Sequence, residues 1–149
     1  AFDMVSTGKD TLAERIALRR VDVADATGSV VSAAAETDDR GTYNAELVEI
    51  EGSNFVRIGG AAVDLYRGGS DESTFGPKLR ITGTHFERVG GRANAALRLH
   101  GVQRAELTGN RFADSAAIIY RRTVGEPVLI AERNIFKRTP EFDAAEAAR

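Results

Sequence analysis

The chain contains no cysteine and no tryptophan, and among its 149 residues there are only one methionine, three prolines and two histidines. Without cysteine there can be no disulfide, no thiolate nucleophile and no zinc–thiolate site. His85 and His100 occupy unrelated positions in the sequence, so no metal site is expected from them. No run approaches the ~18 consecutive apolar residues of a membrane-spanning helix, so no membrane segment is expected. Charge of one sign is lacking too: 20 Lys and Arg face 22 Asp and Glu, for a net charge of -2. That balance lacks the cationic footprint of a nucleic-acid-binding surface.

What is present is a substantial apolar fraction, 42% of residues, enough for the core of one domain spanning residues 1–149. Of the 20 cations 17 are Arg; the three lysines are Lys9, Lys78 and Lys137. Arg presents a planar two-point fork to carboxylates, whereas Lys is a point charge or a tunable base. The chain opens on Ala1-Phe2-Asp3-Met4-Val5, which reads as a strand in mid-course. A fragment of a larger protein is therefore expected.

An internal repeat organises the sequence. Val48-Glu49-Ile50-Glu51-Gly52-Ser53-Asn54-Phe55 is followed by Leu79-Arg80-Ile81-Thr82-Gly83-Thr84-His85-Phe86, then by Ala105-Glu106-Leu107-Thr108-Gly109-Asn110-Arg111-Phe112. A looser copy runs from Val128 to Phe136, and Ile16, Leu18 and Val23 supply an earlier one. Each copy has a second short apolar stretch downstream: Val30-Val31, Ala62 to Tyr66, Ala96 to His100 and Ala117 to Arg121. Apolar positions alternate at a period of two, the signature of strands with one buried face. Two or three strands per copy of roughly two dozen residues describe one coil of a parallel β-helix. A leucine-rich repeat would need a denser Leu pattern and a helical stretch, and an up-and-down sandwich would not reuse one template at near-constant spacing.

The expected fold is thus an all-β parallel β-helix of about four coils. An amphipathic helical or irregular tail is expected over residues 141–149, with Phe142 folding over the last coil. Stacking predicts inward columns: Val48, Leu79, Ala105 and Val128; Ile50, Ile81, Leu107 and Ile130; and Phe55, Phe86 and Phe112. Outside, Glu49, Arg80 and Glu106 alternate in sign, which favours direct stacking.

The second apolar stretch carries the more informative exterior. With Val63, Leu97 and Ile118 pointing in, Asp64, Arg98 and Ile119 point out, followed two positions later by Tyr66, His100 and Arg121. A row of rings and cations on a rigid sheet suits a long repetitive ligand such as a sugar polymer. Tyr offers a ring face, His and Arg offer donors, and Arg matches uronate carboxylates. The competing interpretation is a solvated face on which Asp64 and Arg98 form a surface ion pair. His85 reads as a turn residue. The segment Tyr66-Arg67-Gly68-Gly69-Ser70-Asp71-Glu72-Ser73-Thr74-Phe75-Gly76-Pro77 interrupts the coil as a shaped excursion. Its clustered oxygens suit either a self-bonded polar turn or calcium, although the EF-hand spacing is missing.

That same segment resembles a stretch of alginate lyases of polysaccharide lyase family 6, relatives of chondroitinase B. Leu99-His100-Gly101-Val102-Gln103 and Thr123-Val124-Gly125-Glu126-Pro127 are similar to that family's coils as well, and the likeness spans roughly residues 46–140. The resemblance implies a right-handed parallel β-helix, and points to the carboxy-terminal β-helix of the two-domain members. Family chemistry is β-elimination: a cation neutralises the uronate carboxylate, a base removes the C5 proton, and an acid protonates the departing O4. A Lys and an Arg fill the last two roles there, with calcium held by Asn and Glu side chains, all in the amino-terminal β-helix. In this sequence no Lys falls on a predicted outward strand position beside an Arg, so no catalytic residue is assigned.

Three functions are compatible with these features. The first is an auxiliary portion of an alginate-type lyase, supporting a neighbouring amino-terminal catalytic β-helix. The second is an autonomous lyase or binding module using the Tyr66/His100/Arg121 face, and the third is a structural solenoid that self-associates through its end coils. The expected substrate-contacting residues are Tyr66, Arg67, Arg98, His100 and Arg121, on an acidic polysaccharide. No cofactor is expected in this chain, calcium belongs with the parent enzyme, and the resemblance implies a periplasmic or secreted location.

Overall fold

A computed structural model describes residues 2–4, 13–35, 45–67 and 76–146. After β1 (Phe2–Met4) come five successive three-strand coils. These are β2 (Ala13–Arg19), β3 (Asp22–Ala24) and β4 (Val31–Ala35); β5 (Ala45–Glu51), β6 (Asn54–Ile58) and β7 (Val63–Arg67); β8 (Lys78–Thr82), β9 (His85–Val89) and β10 (Leu97–His100); β11 (Arg104–Thr108), β12 (Arg111–Ala113) and β13 (Ile118–Arg122); and β14 (Val128–Glu132), β15 (Ile135–Lys137) and β16 (Phe142–Glu146). Every coil contributes one strand to each of three parallel sheets. The first sheet is β14-β11-β8-β5-β2, the second β15-β12-β9-β6-β3, and the third β1-β4-β7-β10-β13-β16. The chain is a parallel β-helix.

Parallel pairing in a single register places each residue on its counterpart one coil away, so sequence columns become physical columns. Val48 pairs with Leu79 and Leu79 with Ala105; Ile50 pairs with Ile81 and Ile81 with Leu107. Phe55, Phe86 and Phe112 are fully buried. Phe86 and Phe112 stack at 4.5 Å and 3°, Phe112 and Phe136 at 5.1 Å and 8°, and Phe55 meets Phe86 edge-on at 5.5 Å. Such ring pairs stabilise beyond their buried area by about 0.5–1.5 kcal/mol each.

The corners have their own chemistry. Between the first and second sheets one residue per coil adopts a left-handed backbone: Arg20, Gly52, Gly83, Gly109 and Arg133. Glycine serves the middle three because a positive φ penalises a Cβ, and around Gly83 no atom would touch one within 4 Å. After Arg20 comes apolar Val21, but in the next four coils the following residue points inward and is polar: Ser53, Thr84, Asn110, Asn134. Each side chain accepts the backbone N–H of the preceding coil, as Thr84 N–H to Asn110 Oδ1 at 2.9 Å and Asn110 N–H to Asn134 Oδ1 at 3.0 Å. Amide nitrogens finish the ladder by donating back to carbonyls, Asn110 to Ile81 and Asn134 to Leu107. The N–H groups of Val21, Ser53, Thr84 and Asn110 are thereby satisfied.

Four sequence expectations need correction. The coils number five, because the Ile16 and Val128 copies are both complete. In the last coil, Leu129 and Ala131, not Val128 and Ile130, continue the inward columns of Ala105 and Leu107. Val128 is 40% exposed. An uninterrupted apolar run has no polar residue to mark its outer face, so alternation alone cannot set its phase. The expected helical tail is a strand over Phe142–Glu146, paired with β13, while residues 147–149 lie outside the described residues. The open edge of β13 supplies ladder partners for every residue of that segment, whereas so short a helix is marginal in isolation. Phe142 does cover the last coil, meeting Phe136 edge-on at 6.0 Å. Finally, His85 begins β9 and is not a turn residue.

Replacing Phe86 by Ala removes the ring between two aromatic neighbours and leaves a cavity. A loss of about 3–5 kcal/mol is expected in urea unfolding. Phe136→Ala, at the half-buried end of the column, should lose clearly less.

Candidate functional site

The outer face of the third sheet brings together most of the residues singled out in the sequence. Register pairs Asp64 with Arg98 and Arg98 with Ile119, and pairs Tyr66 with His100 and His100 with Arg121. Successive strands stand ~4.8 Å apart, so the three side chains of the second row span adjacent positions of one surface. The Tyr66 and His100 rings stack with centroids 4.5 Å apart and planes tilted by 31°. Tyr66 is 39% exposed and offers its outer ring surface to solvent.

Two arginines flank the rings, each held by a carboxylate. Arg98 donates to Asp64 Oδ2 at 2.9 Å and to the Ala93 carbonyl at 3.0 Å, which fixes its fork against the sheet. Arg121 grips Asp143 on β16 with both terminal nitrogens, at 3.1 and 2.8 Å, and also donates to the Asp143 carbonyl at 2.8 Å. The hydrogen bond from Arg121 is the main reason the Asp143 carboxyl sits below the usual range. Partial burial, and secondarily the charge of Arg121, push the His100 imidazole below its ordinary value. A largely neutral His100 able both to donate and to accept is therefore set between a phenol and a guanidinium.

Arg67 has a different placement. It follows Tyr66 on β7, alternates to the other side of the sheet, and is only 3% exposed. Gly101 lies over it with φ +70°, and a Cβ there would come within 2.3 Å of the Arg67 carbonyl oxygen. Arg67 is thus separated from the Tyr66/His100/Arg121 row by the sheet itself. Residues 68–75, the core of the predicted excursion and its candidate calcium oxygens, lie outside the described residues.

The outer face of the first sheet carries a feature that sequence reasoning missed. Lys78 and Arg104 are register partners at the starts of β8 and β11, both exposed. A Lys therefore does stand beside an Arg on an outward strand position, contrary to expectation. The signal lay one residue ahead of Leu79 and Ala105 in the repeat, outside the aligned template. Beside the pair runs an ion chain from Arg15 through Glu49, Arg80 and Glu106 to Arg104, with Arg80–Glu106 at 2.9 Å and Arg104–Glu106 at 2.5 Å. Hydrogen bonds from Arg104 and then Arg80 hold the Glu106 carboxyl below the usual range. An open cleft of about 420 Å³ lies along this face between Arg15, Arg19, Glu51 and Arg80.

Among the described residues no set of side chains fits a calcium ion. Asn110 and Asn134 turn inward and use their amides on backbone groups, and Glu49 and Glu106 are neutralised by arginines. Among the described residues no three His, Asp or Glu side chains converge to hold a metal.

No family model and no curated protein matches the sequence. Solved structures do. The structure titled PL6 family alginate lyase AlyGC shares 36% identity over 97% of this chain, with a TM-score of 0.82. An arginine-to-alanine mutant of AlyGC shares 40% identity over 80% of the chain, with a TM-score of 0.72. This chain is similar to a PL6 family alginate lyase. It spans about a fifth of AlyGC's length, 20% and 17% in the two structures. Identity of this level over nearly the whole chain extends the similarity beyond the β-helix fold to the sequence that AlyGC lays on it.

His100 provides a test of the third-face electrostatics. Because its folded pKa is lowered, the unfolded chain binds more protons between the two values, so stability rises with pH there. The contribution is present above about pH 6.5 and is lost as pH falls towards the folded value. His100→Gln should flatten the fall of the urea midpoint between about pH 7 and pH 5. A slope equal to the unmodified chain's would refute the neutral imidazole.

Proposed function

We propose that this chain is a β-helical portion of a polysaccharide lyase acting on alginate-type uronate polymers, and that it supports or lines the substrate groove while another part of the protein performs the elimination. The observation that carries this reading is the 36% identity to AlyGC over 97% of the chain, joined to an outward row of ring, imidazole and guanidinium. Tyr66 and His100 present a flat face to a sugar ring, and Arg121 offers the two-point fork that a uronate carboxylate fits. The partner on this reading is a catalytic β-helix amino-terminal to this one, in a periplasmic or secreted enzyme where such polymers are met.

Incubation with alginate tests it directly. The chain alone should give no sustained rise in absorbance of unsaturated product, yet calorimetric titration should register binding. Arg121→Ala should weaken that binding by about tenfold, as expected for a charge-assisted hydrogen-bond pair. Sustained product formation would overturn the auxiliary role.

A second reading, autonomous catalysis, is favoured by the outward neighbours Lys78 and Arg104. β-Elimination needs a base to take the C5 proton, whose bonding pair forms the C4–C5 double bond as the C4–O4 bond breaks, and an acid to protonate O4. Lys78 and Arg104 are the residue types that the family resemblance associates with those two roles. Activity abolished by Lys78→Ala and untouched by Arg121→Ala would replace the first reading with this one.

A further inference from the structure

We propose that Arg121 is a carboxylate-binding subsite whose fork is held in the free protein by an internal carboxylate, Asp143, which a ligand carboxylate displaces. The inference rests on the uronate-binding reading above and extends it to the residue that controls access.

Arg121 and Asp143 are not register partners. Asp143 pairs with Ile119, and Arg121 pairs with Ala145. The guanidinium therefore leans diagonally back along the edge strand to reach Asp143, engaging both carboxylate oxygens. That is the planar two-point contact a uronate carboxylate would make. The contact directs the fork towards the end of the sheet, one strand beyond the row it shares with His100 and Tyr66.

Comparison with Arg98 shows why this contact is the exchangeable one. Both arginines also donate to backbone carbonyls, Arg98 to Ala93 and Arg121 to Tyr120 and Asp143, so the difference lies in the carboxylates: Asp64, on an interior strand, has a side chain only 22% exposed. Asp143 is 56% exposed and lies on β16, whose neighbour among the described residues is β13. An ion pair with so exposed a carboxylate contributes little to stability and yields to competing carboxylates, particularly a series presented by one polymer. Asp143 would accordingly set a threshold: a neutral glycan gains nothing from Arg121, while a uronate chain exchanges one carboxylate for another.

The test is a calorimetric titration of the full chain with polyuronate oligomers and with a neutral glucan, at low and moderate salt. Asp143→Ala should bind the polyuronate about two- to fivefold more tightly, the range that release of an exposed ion pair permits. The gain should shrink with salt, be absent for the glucan, and vanish in the Arg121→Ala/Asp143→Ala double variant. Glu14→Gln, which removes a unit charge from the first sheet, should give no comparable gain. Asp143→Asn keeps the side-chain shape and should tighten binding likewise, with urea midpoints verifying that each variant is folded. Equal or weaker binding by both Asp143 variants, with the unmodified chain still binding, would overturn the displacement while sparing the uronate-binding reading. No binding by any variant, including the unmodified chain, would overturn both.

Discussion

Every feature of this molecule depends on residues of one coil lying directly on their counterparts in the next. The parallel ladders run in one register through three sheets, so an error of one residue would turn every buried side chain outward. Two interactions prevent that slip. The Phe55–Phe86–Phe112–Phe136 column fills the interior with rings that pack only when superposed. The Ser53–Thr84–Asn110–Asn134 ladder satisfies buried corner N–H groups only when each side chain sits above its neighbour. Apolar packing supplies most of the free energy, and the corner ladder supplies the register.

Superposition also determines the electrostatics of the exterior. Like charges stacked at ~4.8 Å repel, and several outer columns place opposite charges at successive levels, the Lys78–Arg104 neighbours being an exception. Arg80 stands between Glu49 and Glu106, Arg98 beside Asp64, and Arg57 and Arg138 beside Asp25 and Asp114. Part of the chain's charge balance is thus expressed locally, in arginine–carboxylate pairs between coils. Most of these fixed pairs form a solvated exterior of modest energetic weight. The third face differs in setting two stacked rings beside a guanidinium whose carboxylate partner, on β16, is more than half exposed.

The two long outer faces offer different chemistry on one scaffold. The first sheet presents a charged strip with an open cleft and a Lys–Arg neighbour pair, and the third presents rings bordered by arginines. A parallel β-helix keeps such faces rigid and independent, because the packed interior separates them. The two faces differ in chemistry: a Lys point charge beside an Arg fork on one, ring surface and an Arg fork on the other.

The repeat, the three buried phenylalanines, the alternating Glu49/Arg80/Glu106 column and the outward row of Tyr66, His100 and Arg121 were all legible in the amino-acid sequence. Each depends on alternation within a strand and on recurrence between strands, and a linear string records both. Recurrence failed where its markers were absent. The all-apolar stretch around Val128 has no polar residue to phase it, and the Ala-rich end of the chain reads as helix until the edge of β13 offers it a ladder. Lys78 and Arg104 lay just outside the template that revealed their neighbours. Tertiary structure alone decided that Arg121 reaches back to Asp143, that the Tyr66 and His100 rings stack, and that Gly101 lies over Arg67. These outcomes depend on which side chain crosses to which neighbour, and that choice is made by distances between coils that no spacing along the chain records.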